Sequence, residues 1–182
     1  IEPPEAAAVS RPVWDFAPGP QGWTLDDGSK LEVAGKGISF AWRGTAPRLV
    51  SPPLRFAARD SFFVSIRMTA TKGATATLGF ANDADSGFRV HTFSIHADGQ
   101  MRWYHLDLSS HPQWRGTVRL LTVEPSDAGE AQAAVESVQV ASAPQGPPEL
   151  TLRFPGIAEG LPRVGQRLTV AATLVNPGGQ AA

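Results

Sequence analysis

The chain has 182 residues, 42% of them hydrophobic, with a formal net charge of −1 and no cysteine. That length suffices for one domain with a sizeable core plus a remainder, since domains of roughly 100 to 150 residues are commonest. The near-zero charge offers no nucleic-acid footprint, the missing cysteine removes disulfides, thiolate catalysis and cysteine metal sites, and no apolar run is long enough to insert in a bilayer.

In chain order, residues 1–12 form a Pro/Ala-rich leader with nothing to bury, which reads as a linker. The opening on Ile1 and the ending on NPGGQAA read as a piece of a larger, exported protein. Val13 to Phe16 and Gly22 to Leu25 are short apolar runs separated by a Pro-Gly-Pro turn. Leu31 to Val33 and Ile38 to Trp42 flank Gly35-Lys36-Gly37, where glycine accepts positive φ without steric cost, so the pair predicts a hairpin. Pro47 to Pro53 predicts a bend, because proline cannot donate to a sheet ladder.

From Phe62 to Thr69 the alternation is clean, with Phe62, Val64, Ile66 and Met68 on one face and Phe63, Ser65, Arg67 and Thr69 on the other. Ala74 to Ala81 repeats it, with Ala76, Leu78 and Phe80 as the apolar set. NDADSG, residues 82–87, is a polar turn; it lacks the distal glutamate of a calcium-binding EF-hand loop. Phe88 to Ile95 is a strand in which Phe88 and Val90 oppose Phe93 and Ile95, a conflict that a bulge near His91 or Thr92 would reconcile.

Asp98-Gly99 is a turn signal that opens the strand Met101 to Leu108, followed by a polar break and a second strand, Thr117 to Val123. The rest of the sheet is expected around this pair. Thr117 to Val123 is apolar on both faces, as expected of a central strand. Ala131 to Val135 has the spacing of a single helical turn before a last strand, Val135 to Val140. Short strands with frequent turns and no sustained helical period predict an all-β, two-sheet antiparallel sandwich over residues 13–141, with Phe62, Val64, Ile66, Leu78, Phe80, Tyr104, Leu106, Val118 and Leu120 inside. Residues 142–148 read as a Pro/Gly linker, and residues 149–182 as the incomplete start of a second β domain, with strands at Glu149 to Phe154 and Gln166 to Val175.

The order VWDF, GWT, a hairpin, RLVSPPL before a strand, then DGQMRWYHLDLSSHPQWRGTV and an EP loop resembles the jelly-roll, galactose-binding-like domains that accompany catalytic domains in bacterial secreted glycoside hydrolases. The tail, GQRLTVAATLVNPGG, is similar to the opening of a bacterial immunoglobulin-like, cell-adhesion-related domain. The resemblance implies a carbohydrate-binding-type module, outside the cell, in the periplasm or at the cell surface, joined to a catalytic domain in the same parent chain. It also implies that the first and last strands are neighbours, which makes Asp15 and Glu136 candidate ligands of a structural calcium ion. Glu124-Pro125 and VESVQV depart from the Asp-Pro and the acidic residue with tryptophan that such domains tend to carry there.

Among candidate chemistry, Trp103, His105 and Asp107 alternate on one strand face, and Arg67 lies on the corresponding face of another strand. An aromatic ring flanked by polar groups suits a sugar, whose C–H face stacks on the ring while its hydroxyls take hydrogen bonds. Against this stands a plainer reading in which Trp103 fills a gap between sheet and loop. Trp14, Trp23, Trp42 and Trp114 flank turns and are expected to seal the sandwich ends. His91 and His105, if on adjacent strands, make a metal pair conceivable, though without helical zinc-site spacing. No nucleophile–base or phosphate-cradling motif occurs, so the chain reads as a non-catalytic glycan-binding module or, alternatively, a purely structural spacer with no ligand.

Overall fold

The computed structural model describes residues 12–144 together with two short strands beyond them, Thr151–Arg153 and Thr173–Val175, which pair antiparallel with each other. The expected leader, apart from Pro12, and the immunoglobulin-like tail, apart from those two strands, lie outside the described residues. Residues 12–144 form a sandwich of two antiparallel sheets, and a single 3-10 turn, Ala58–Asp60, is the one helical element among the described residues.

The first sheet runs in the order β10 (Arg102–Asp107), β7 (Phe63–Ala70), β12 (Glu130–Ala141), β4 (Gly37–Arg43), β3 (Glu32–Ala34), with β1 (Val13–Asp15) paired to the second half of β12. The second runs β2 (Thr24–Leu25), β5 (Leu49–Val50), β11 (Thr117–Glu124), β8 (Thr75–Asn82), β9 (Arg89–Ser94), with β6 (Phe56–Ala57) on β11. The inward faces follow the alternation: Val64, Ile66 and Met68 from β7 and Ala76, Leu78 and Phe80 from β8 are all buried. Period-2 patterning places such residues between two sheets, where apolar burial supplies about 25 cal/mol per Å². The tryptophans at the sandwich ends are buried as expected; Trp14 and Phe16 meet Trp23 edge-on at 5.1 and 5.8 Å, and Trp42 donates Nε1–H to the Ala128 carbonyl at 2.9 Å.

Four expectations are corrected. The strands on either side of the polar break do not pair, since β10 is an edge strand of the first sheet and β11 is central in the second. The Asp98-Gly99 turn accordingly carries the chain from β9 in one sheet to β10 in the other and closes no hairpin. β9 has no bulge; its register with β8 is continuous, Phe93 points inward and Val90 is 56% exposed. Phe88, which confused the phase, precedes the strand and lays its ring over the bare outer face of Gly79.

The bulges sit elsewhere. In β11 the register with β8 shifts between Val118 and Leu120, so Leu121 and Val123 are buried while Leu120 turns outward. In β12 it shifts between Val135 and Ser137, and the extra residue is Glu136. Apolar positions 131, 133 and 135 therefore continue as 138 and 140 on the same inner face. An extra residue in one strand flips the phase of everything after it. The expected helical turn at Ala131 to Val135 is strand, because Ala131, Ala133 and Val135 alternate inward in unbroken register with β4 ahead of the bulge. The β3–β4 hairpin is as expected, with Gly35 at φ 61°; Gly37 serves differently, lying so close to β12 that a side chain there would strike the Val135 carbonyl.

The polar turn at residues 82–87 is built by its own side chains. Asn82 Oδ1 accepts hydrogen bonds from the Ala84 and Asp85 backbone N–H groups, and Arg115 grips Asp85 with two donors at 3.0 and 2.5 Å. That pairing holds the Asp85 carboxyl below its usual range. The turn is an ion-paired clasp rather than a calcium loop.

Candidate sugar-binding face

β10, β7, β12 and β1 align one row of outward side chains: Trp103 opposite Arg67, Arg67 opposite Ser137, Ser137 opposite Asp15. The next row places His105 opposite Ser65 and Ser65 opposite Gln139. The outer face of the first sheet therefore gathers residues that lie far apart in the chain, because antiparallel pairing brings every second residue of four strands to one side.

Trp103 is half-buried, its ring parallel to His105 with centroids 5.7 Å apart. The Arg67 guanidinium lies 5.8 Å from the Trp103 ring centroid, within cation–π reach. Ser65 Oγ hydrogen-bonds His105 Nδ1 at 2.9 Å and fixes that ring. Arg67 Nε also stands 3.0 Å from Glu136 Oε2, a charge contact without hydrogen-bond alignment. With the Arg67 side chain 43% exposed, such a pair contributes at most about 1 kcal/mol and yields readily to a ligand. Beside it, Asp15, Lys36, Arg67, Trp103, Glu136, Ser137 and Gln139 line a shallow pocket of about 250 Å³.

Of the residues expected at the sugar platform, Trp103, His105 and Arg67 are brought together. Asp107 shares the face but is directed to its own turn, where Oδ1 accepts the Ser109 N–H at 2.9 Å. Ser65, Ser137 and Gln139 complete the surroundings. Their alternation with Val64, Val138 and Val140 was the available signal, hidden in β12 by the Glu136 bulge.

Asp15 and Glu136 also come together, on paired strands beside one pocket. Each has an occupation: Asp15 Oδ1 accepts the Ala17 N–H at 3.0 Å, and Glu136 faces Arg67. Among the described residues no three His, Asp or Glu groups cluster for a metal. An ion held by Asp15 and Glu136 would need backbone carbonyls or waters to complete its six to eight oxygens and would compete with the Arg67 guanidinium for Glu136. Thermal unfolding in calcium and in chelator is therefore expected to give one midpoint; a rise with calcium would show the ion displacing Arg67.

His91 and His105 do not meet, being on β9 and β10 in different sheets and, respectively, inward and outward. His91 instead faces His111 at 5.8 Å, and His111 in turn meets Phe80 edge-on. Burial, and secondarily the His111 charge, holds His91 below its ordinary value of 6.5. The unfolded chain then binds the proton first, so stability is full above about pH 6.5 and falls as pH drops below it, levelling off under the folded-state value. Urea unfolding between pH 7.5 and 5 measures this, and His91→Gln is expected to flatten the slope.

No protein-family model and no curated protein sequence matches the chain. Among solved structures it is similar to a mutant of a family 29 carbohydrate binding module, with TM-score 0.50 and 10% identity over 71% of this chain and 90% of that one. It is similar to a CBM4 structure as well, with TM-score 0.50 and 14% identity over 69% and 97%. A family two carbohydrate esterase from Cellvibrio japonicus matches at TM-score 0.42 and 12% identity over 72% of this chain, which spans only 33% of that chain. At these identities the likeness is one of fold: residues 12–144 have the jelly-roll β-sandwich of carbohydrate binding modules.

Proposed function

We propose that this domain is a non-catalytic carbohydrate-binding module of a larger secreted bacterial protein, a glycoside hydrolase, and that it holds the parent enzyme near its polysaccharide by raising effective concentration. The observation that carries the reading is the gathering of Trp103, His105 and Arg67 on an outward sheet face, beside an open pocket. An indole presents its apolar face to sugar C–H groups, and the surrounding Arg, Ser and Gln side chains supply donors and acceptors for hydroxyls. The shared fold with carbohydrate binding modules supports it.

A shallow platform buries little area, so affinities on the order of micromolar to millimolar, about −8 to −4 kcal/mol, are expected. Affinity electrophoresis against a polysaccharide panel is the test. Wild type is expected to be retarded by at least one glycan and Trp103→Ala by none, with unchanged thermal unfolding. The half-buried state of Trp103 favours one competing reading, a ligand-free spacer domain, which predicts no retardation by any glycan.

A further inference from the structure

Beyond the Trp103 row, the outer face of the first sheet is lined with small residues. Thr69 of β7 pairs with Ala134 of β12, Ala134 with Ser39 of β4, and Ser39 with Glu32 of β3. One step further along, Thr71 Oγ1 accepts the Gln132 N–H at 3.0 Å, and Gln132 stands opposite Ala41. These rows floor a cavity of about 540 Å³, with Gly99 at one end and Ser29, Lys30 and Glu32 at the other. A second cavity of about 470 Å³ adjoins it and shares Ala41, Thr71 and Gln132.

Larger side chains rise on both sides. The Arg67–Glu136 pair and Trp103 belong to the row on one side. Arg43 and Lys72, 3.5 and 3.9 Å from the two Glu130 oxygens, form the other. The result is a trough that crosses the strands. Three inter-strand steps of about 4.8 Å from β7 to β3 make it roughly 14 Å long before its loop ends are counted, which exceeds what one sugar ring fills.

We infer that this trough binds an extended, uncharged polysaccharide chain lying across β7, β12, β4 and β3, with Trp103 standing on its flank. The inference rests on the carbohydrate-binding reading above and specifies which glycan and where. Three features carry it. The floor is open because Ser39, Ala41, Thr69 and Ala134 are short, whereas exposed sheet faces ordinarily carry long polar chains. Thr69, half-buried, lines that floor and its Oγ1 has no protein hydrogen-bond partner, so rotation about its side-chain bond can turn the hydroxyl toward a ligand. Each wall cation, Arg67, Arg43 and Lys72, stands within 4 Å of Glu136 or Glu130, and the two carboxylates leave only one positive charge over, so the walls offer hydroxyl-binding donors and acceptors with little field to hold an anionic polymer.

Isothermal titration with neutral oligosaccharides of glucose, xylose and mannose, each as disaccharide and hexasaccharide, with polygalacturonate as the charged control, tests this. For at least one neutral series the hexasaccharide is expected to bind tenfold or more tightly than the disaccharide. Ala134→Leu, which fills the floor from an outward position, is expected to abolish that gain, and Gln132→Ala to reduce it, both with wild-type thermal midpoints. Equal affinity for the two lengths, or a gain untouched by both variants, overturns the trough while leaving the Trp103 platform standing if Trp103→Ala still abolishes binding. Preference for polygalacturonate overturns the uncharged ligand. Binding of no glycan at all removes the carbohydrate reading and the trough together.

Discussion

Trp114→Ala is expected to cost about 3 to 5 kcal/mol, the range for deleting a buried aromatic side chain, and so a large part of the 5 to 15 kcal/mol that typically holds a domain folded. The ring is 7% exposed and meets Phe80 edge-on at 4.9 Å and Phe56 at 6.2 Å. Its Nε1–H is shared between the Ala58 and Ser61 carbonyls, each at 3.1 Å, which ties the 3-10 turn to the core. Truncation leaves a cavity and removes the indole donor from both carbonyls; the Ala58 carbonyl keeps the Ser61 N–H at 3.3 Å, while the Ser61 carbonyl loses the donor Trp114 supplied, which adds its own cost. Trp114→Phe separates the two effects, because it keeps most of the packing and loses only the shared donor, for about 1 to 3 kcal/mol. Equilibrium urea unfolding of the three proteins measures both steps, and equal stabilities would contradict the packing described.

The second large effect is a contrast between neighbours. Leu121→Ala is expected to cost about 2 to 5 kcal/mol, whereas Leu120→Ala should cost about 1 kcal/mol or less. Leu121 has no exposed surface and lies opposite Phe80, while Leu120, half-buried, turns to the outer face opposite Ala81. The β11 bulge decides which leucine is inside. Urea midpoints in the reverse order would place the bulge elsewhere and return Leu120 to the core.

That contrast marks where pattern reading stops. Strict alternation in Val64 to Met68 and Ala76 to Phe80 identified core positions correctly, because nothing interrupts β7 or β8 and period 2 maps directly onto faces, whereas Phe62, just ahead of β7, is only partly buried. The same rule misplaced Leu120 and blurred the strand around Glu136, since one inserted residue inverts the phase and no local residue announces it. In β9 it demanded a bulge that does not exist, because Phe88 is apolar for another reason: it covers the missing side chain of Gly79 across the sheet.

The site was legible in part. Trp103, His105 and Arg67 were recognisable as chemistry because an aromatic and polar side chains alternate with core residues, and the two strands that carry them do pair. The trough was not, because small residues at 39, 41, 69 and 134 are inconspicuous singly and become a floor only when β4, β12 and β7 align them. The sequence by itself determined an all-β sandwich, the inward faces of its uninterrupted strands and the burial of its end tryptophans, since those follow from periodicity and turn chemistry within each segment. Which strands share a sheet, where the two bulges fall, and which distant residues meet on the outer face were decided by tertiary structure alone, because backbone ladders between segments depend on register and closure across the whole domain.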